Sequence, residues 1–169
     1  MSVALFQTLG DFNAWANERL YDSCTQLSKD DYARERKAFF GSIDKTLNHI
    51  LVVDQLWRGR MEGWKPSIKS LADVPHENLN DLRAAREAED IALKKLVGGL
   101  DAKRLERAVR YRFLDGTPAE APLDLLLITL FNHQTHHRGQ VHVMLTQSGI
   151  TPPPLDILDF HMDPARQKT

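Results

Sequence analysis

The chain has 169 residues, 22 Lys and Arg against 23 Asp and Glu, and a formal net charge of −1. Its length suits one domain that buries a core without cross-links, and its single cysteine, Cys24, excludes an internal disulfide and fits a reducing compartment. The balanced charge argues against a nucleic-acid partner, and the longest apolar run, residues 125–131, is far too short to span a membrane.

The first predicted helix covers about residues 2–27, where Leu5, Leu9, Phe12, Trp15, Ala16, Leu20 and Leu27 recur at helical spacing. The second covers about 42–61, with Ser42 as its cap and Gly63 and Pro66 ending it. A long connection, 63–76, follows. The third, about 77–97, is the most charged and carries a thin apolar stripe of Leu82, Ala85, Ala92, Leu93 and Leu96 before Gly98 and Gly99 stop it. Residues 108–121 have a different texture. Val109, Tyr111 and Phe113 alternate with Arg110 and Arg112, and the turn pair Asp115-Gly116 follows, which predicts a short β-hairpin or extended excursion. The fourth helix covers about 122–148, between Pro122 and Gly149. After the Pro152-Pro153-Pro154 run the tail is expected to be a loosely packed arm. Four such helices in one domain, residues 1–169, predict an all-α four-helix bundle, and the long connections leave simple up-down-up-down order open. The start of the chain has no basic segment leading into an apolar run, so the expected location is cytoplasmic.

The chemistry concentrates in the histidines. Four of the seven fall on the last helix, as His133, His136, His137 and His142. Residues four apart on a helix share a face, so His133 and His137 form a pair able to grip one ion. At about 100° per residue the pair lies among Leu126, Leu130, Val141 and Met144 on the inward face, with His142 opposite and His136 on a flank. His49 lies inward on the second helix, near Val52, Val53 and Leu56. Buried imidazoles need partners, and a metal ion supplies one. Two readings stand on spacing alone: a metal site on the three histidines, or histidines satisfied in a core or a dimer interface. His76 and His161 fall in connecting segments and are poorer candidates. Gln140 lies near the ligand face, able to orient a bound group or to serve structure. Arg138 and Gly139 are expected to serve packing. Leu127, Phe131 and Leu145 define a second apolar face, toward another helix or a partner subunit.

Other chemistries lack support. Cys24 has no histidine within its helix turn, no nucleophile elbow or phosphate loop occurs, and the fourth helix has no glutamate after Glu120 for a di-iron site.

The stretch Asn132-His133-Gln134-Thr135-His136-His137-Arg138-Gly139-Gln140 resembles the signature of the DinB-like family of bacterial metal-binding four-helix bundles. Residues 13–20, the run Leu47-Asn48-His49-Ile50 and the turn Asp115-Gly116-Thr117-Pro118 extend the resemblance in order along the chain. It implies an up-down-down-up bundle, a divalent metal held by His49, His133 and His137, and homodimers. Relatives include bacillithiol- or mycothiol-dependent S-transferases and a mycothiol-dependent isomerase. The resemblance therefore implies a metal-dependent hydrolase or thiol S-transferase, with a small-molecule substrate that includes low-molecular-weight thiols. The alternative is a non-catalytic metal or ligand sensor, or a bundle with a structural metal. Imidazole ligands suit Zn or Ni first, with Fe or Mn also admissible.

Overall fold

In the computed structural model, which describes residues 1–166, the chain runs α1 (Val3–Cys24), α2 (Lys29–Ala33), α3 (Ile43–Glu62), α4 (Leu79–Gly98), α5 (Ala102–Leu105), β1 (Ala108–Arg112), β2 (Pro118–Pro122), α6 (Leu123–Gln147) and α7 (Ile157–Met162). Local chemistry sets the helix ends. The Ser2 hydroxyl accepts from the Leu5 amide at 3.2 Å, the Asn78 carbonyl oxygen from the Asp81 amide at 2.9 Å, and Asp156 forms a capping box with Asp159. Gly63 closes α3 at φ 83°, with its amide donating to the Gly59 carbonyl at 2.8 Å. The strands pair antiparallel with Tyr111 opposite Ala119 and Arg110 opposite Glu120. Val109 and Tyr111 face the helices, and Gly116 turns the tip at φ 88°.

Of the four long helices, α1 packs on α4 and α6, and α3 packs on the same two. The core is split. One large apolar cluster holds Phe6, Leu93, Val97, Leu127, Leu130 and their neighbours, a second holds Leu20, Leu47, Leu51, Leu82, Met144 and theirs, and a small third joins Phe12, Ala16 and Phe160. Leu127, Phe131 and Leu145 are thus buried within this chain.

A charged layer lies between the two large clusters. Arg86, 2% exposed, donates from Nη1 to Asp54 at 2.5 Å and approaches Asp90 at 2.9 Å. Asn13 and Asn17 donate to Asp90 at 3.1 and 3.0 Å. Arg138 donates to the side-chain oxygens of Asn13 and Gln134, and Gln134 donates to Asp54. Burial works against the Arg86 charge, but Asp90 and Asp54 more than offset it and hold the guanidinium above its ordinary value. Burial pushes the Asp54 carboxyl up to about 7 while Arg86 draws it back. These two tendencies conflict, and we take the pair as ionised because Oδ2 accepts from both Arg86 and Gln134.

Several expectations are corrected. Phe6, fully buried, takes the core position near the start of α1, while Leu5 is exposed. Arg138 is a hub of buried hydrogen bonds rather than simple packing. A methyl group at Gly139 would meet nothing, so that glycine fills no packing role. The tail is docked, because its last helix presents Phe160, 3% exposed, to Phe12 and Trp15 with ring centroids 5.7 and 5.6 Å away. Asp163 then accepts from Trp15 at 2.7 Å and Arg19 at 2.9 Å. A proline run ends a helix but does not prevent a later amphipathic turn from finding an aromatic surface.

Candidate metal centre

His49 comes from the middle of α3, and His133 and His137 come from successive turns of α6. Val52, Val53 and Leu56 are buried around the first, and Leu130, Val141 and Met144 around the pair, so both helix faces point inward as their periodicity predicts. One ligand nitrogen from each ring can be chosen so that all three lie within 4.8 Å of one another. His49 Nε2 and His133 Nε2 are 3.0 Å apart. Two nitrogens bound tetrahedrally to one zinc at about 2.0–2.1 Å lie about 3.3 Å apart, so the cluster is the right size for a single ion.

The outer ring nitrogens decide which lone pairs are free. His49 Nδ1 lies 2.7 Å from the Leu71 carbonyl, and His137 Nδ1 lies 2.8 Å from Gln140 Oε1. Oxygen acceptors there require N–H on Nδ1, which leaves each Nε2 with its lone pair directed at the cluster. The Nδ1 of His133 is buried without a hydrogen-bond partner among the described residues. Gln140 therefore orients the His137 ring directly. The Leu71 carbonyl escaped the sequence reading because a backbone oxygen in a connection leaves no side-chain signal.

Burial, with smaller pushes from His137, His49 and His136, lowers His133 to about 3; burial lowers His137 to about 4 against the Gln140 hydrogen bond, and lowers His49 against that of Leu71. The set is thus neutral and ready to ligate at physiological pH. In the metal-free protein the His133 and His137 ring resonances will stay those of neutral imidazole from pH 8 down to about 5, where an ordinary histidine near 6.5 has already protonated. Titration midpoints near 6.5 by NMR would contradict this. The linkage has a definite sign. Folding lowers these values, so the unfolded chain takes up protons first. Their contribution to stability is complete above about 6.5 and is lost as pH falls through about 4 and then 3.

Two connecting segments finish the walls. Phe40 stacks on His49 with centroids 3.9 Å apart and meets His137 edge-on at 5.5 Å. The 63–78 connection is pinned by Asn48, whose fully buried amide donates to the His76 carbonyl at 2.9 Å and accepts from the His76 amide at 3.1 Å. That clamp carries the Leu71 carbonyl to His49. Asn48→Ala is expected to lower metal affinity about tenfold or more, as loss of a ligand-orienting partner does. Competition with a chromophoric chelator measures this, and unchanged affinity would mean the carbonyl holds its place without the clamp.

On its outer side the cluster meets a cleft of about 530 Å³ that is lined by His49 and His133 and is mostly apolar, with Arg60, Asp115 and Thr129 as its other polar groups. Of the remaining histidines, His136 borders the cluster, its ring centroid 4.8 Å from that of His137. His136 is exposed beside Gln140, His142 reaches the Pro153 carbonyl at 3.2 Å, His76 contributes its backbone to Asn48, and His161 sits on α7. Cys24 is 1% exposed and its thiol is pushed up to about 12 by burial, so it is no nucleophile. No helix among the described residues is long and apolar enough to cross a membrane.

Protein DinB of Bacillus subtilis (strain 168) is 26% identical over 157 residues, which is 88% of this chain and 88% of that protein. The crystal structure of a DinB-like protein from Bacillus cereus ATCC 10987 superposes with a TM-score of 0.63 at 22% identity, covering 82% of this chain and 89% of that one, and so shares the fold. Residues 1–168 match the pattern of the DinB family, and the chain belongs to that family.

Proposed function

We propose that the chain binds one divalent metal ion through His49, His133 and His137 and uses it for metal-assisted nucleophilic chemistry: hydrolysis, or transfer to a low-molecular-weight thiol. The observation that carries this reading is the convergence of three neutral imidazoles on one point, two of them oriented through their outer nitrogens, beside an open cleft. Three ligands leave coordination positions free, which distinguishes catalytic from closed structural sites. The bound ion would supply Lewis acidity, easing deprotonation of a water or thiol and polarising the substrate. The chain's own residues do the rest. Leu71 and Gln140 hold the rings, Phe40 shields one side from water, and the cleft admits substrate beside His49 and His133. That access favours an enzyme over a sensor or a structural metal.

The same reading includes Zn or Ni as the first candidates and Fe or Mn as the next, assembly as a homodimer, and a cytoplasmic location. It also includes an up-down-down-up bundle. Ion pairs Asp11–Lys94 and Asp22–Arg83 support opposed directions for α1 and α4, while Arg86 on Asp54 and Arg58 on Glu89 support parallel α3 and α4.

Elemental analysis of untagged wild-type protein and His133→Ala tests the site. About one ion per chain, absent from the variant, is the expected result. No ion after exposure to Zn, Ni, Fe and Mn would reduce the histidines to core residues.

A further inference from the structure

Two arginines lie near the end of α3, and they are treated differently. Arg58 is paired with Glu89 at 2.6 Å and Glu62 at 2.8 Å. Arg60 has no ion pair and no hydrogen bond among the described residues, and its Nε is buried and unpartnered. What surrounds it is aromatic: its guanidinium carbon stands 4.5 Å from the Trp57 ring centre, 5.1 Å from Tyr111 and 5.6 Å from Phe113. Rings position a guanidinium and strip it of water, yet they neutralise none of its charge. A cation held this way keeps its planar fork for a ligand.

Its place in the fold says which ligand. Arg60 lines the cleft that His49 and His133 line, and it also lines an adjoining groove of about 680 Å³ along the hairpin. That groove adds Lys65, Lys69, Arg110 and Arg112, and no carboxylate is among its lining residues. Arg110 is engaged with Glu120 across the hairpin, whereas Lys65 and Lys69 make no ion pair among the described residues. Asp115 is the one acid in the histidine cleft, its Oδ1 accepting from the Thr117 amide at 2.9 Å. A path therefore runs from the imidazole cluster, past an arginine with no ion pair among the described residues, into a cationic groove.

We propose that Arg60 is the anion anchor of this site and that the substrate is a small molecule carrying a carboxylate or phosphate, its anionic end on Arg60 with Lys69 and Arg112 beyond, its reacting end at the histidine cluster. This rests on the metal-site reading for the reacting end, while the anion site stands on Arg60 and the groove alone.

The test separates the two. Metal-free protein is titrated with succinate, inorganic phosphate and neutral 1,4-butanediol, followed by backbone and Arg Nε–Hε NMR shifts at constant ionic strength. Succinate or phosphate should move the resonances of Arg60, Tyr111 and Phe113 saturably and butanediol should not, the tighter of the two anions naming the group. Arg60→Gln should weaken that binding about tenfold or more, the loss of a charge-assisted contact. Lys69→Gln/Arg112→Gln, both on exposed side chains, should weaken it by a smaller factor. Zinc-loaded protein is then offered mercaptosuccinate and 2-mercaptoethanol. A preference of about tenfold for the anionic thiol that falls at least threefold in Arg60→Gln is expected. The proposal is overturned if neither anion binds the metal-free protein, or if Arg60→Gln folds and binds them as wild type does. Failure to take up zinc with anion binding intact would remove the metal reading and leave the anion site standing.

Discussion

Zinc is expected to raise the thermal midpoint of the wild-type protein by about 10 °C, and His49→Ala, His133→Ala or His137→Ala should abolish the rise. The size follows from linkage. An ion that binds only the folded chain at a thousand times its dissociation constant adds about 4 kcal/mol of stability. For a domain of this length each kcal/mol moves the midpoint by about 2–4 °C. The three imidazoles come from α3 and α6, so a bound ion would tie together two helices whose sequence positions are 84 residues apart between His49 and His133. Chelation of the loaded protein should return it to the metal-free midpoint without unfolding it, because the two large apolar clusters do not depend on the site. Scanning calorimetry with and without chelator decides the matter. A midpoint equally raised by zinc in all three variants would place the binding elsewhere.

Replacing Arg86 by methionine is the second large effect. Its guanidinium lies between Asp54, fully buried, and Asp90, 7% exposed. Removing one partner of a buried ionic cluster costs about 3–5 kcal/mol, since the carboxylates left behind keep their desolvation cost without their counter-charge. That is a large part of the roughly 5–15 kcal/mol a domain possesses. Asp54→Leu combined with Arg86→Met should recover part of the loss, because a neutral apolar pair of similar volume leaves fewer charges stranded. Urea denaturation would report a lower midpoint for Arg86→Met with an unchanged slope. A cost below 1 kcal/mol would mean that water reaches the layer and already solvates these charges. Arg138→Met should behave more mildly, since its contacts are to the neutral amides of Asn13 and Gln134.

The histidine site and the charged layer differ in how far they could be read before folding. His133 and His137 are four residues apart on one helix, and helix geometry is local, so their shared face and its inward direction follow from the residues between Leu126 and Met144. His49 is similar, placed by Val52, Val53 and Leu56. The family signature added the pairing of the two helices. The charged layer left no such trace. Arg86 and Asp90 stand four apart on the most charged helix, the same pattern that a solvated surface pair makes. Their burial depends on Asn13 and Asn17 from α1, which donate to Asp90, and on Asp54 from α3, which accepts from Arg86 and from Gln134 of α6.

What the sequence by itself determined is whatever depends on neighbours along the chain: the four long helices, the turn at Asp115-Gly116, the inward faces, and the three imidazoles they carry. Tertiary structure alone decided the rest. The Leu71 carbonyl on His49, the Phe40 stack, the docked Phe160 and the Tyr111 and Phe113 rings on Arg60 each join different segments of the chain. A backbone oxygen, a ring face or an unpaired guanidinium has no periodicity of its own, and its meaning comes only from what packing places opposite it.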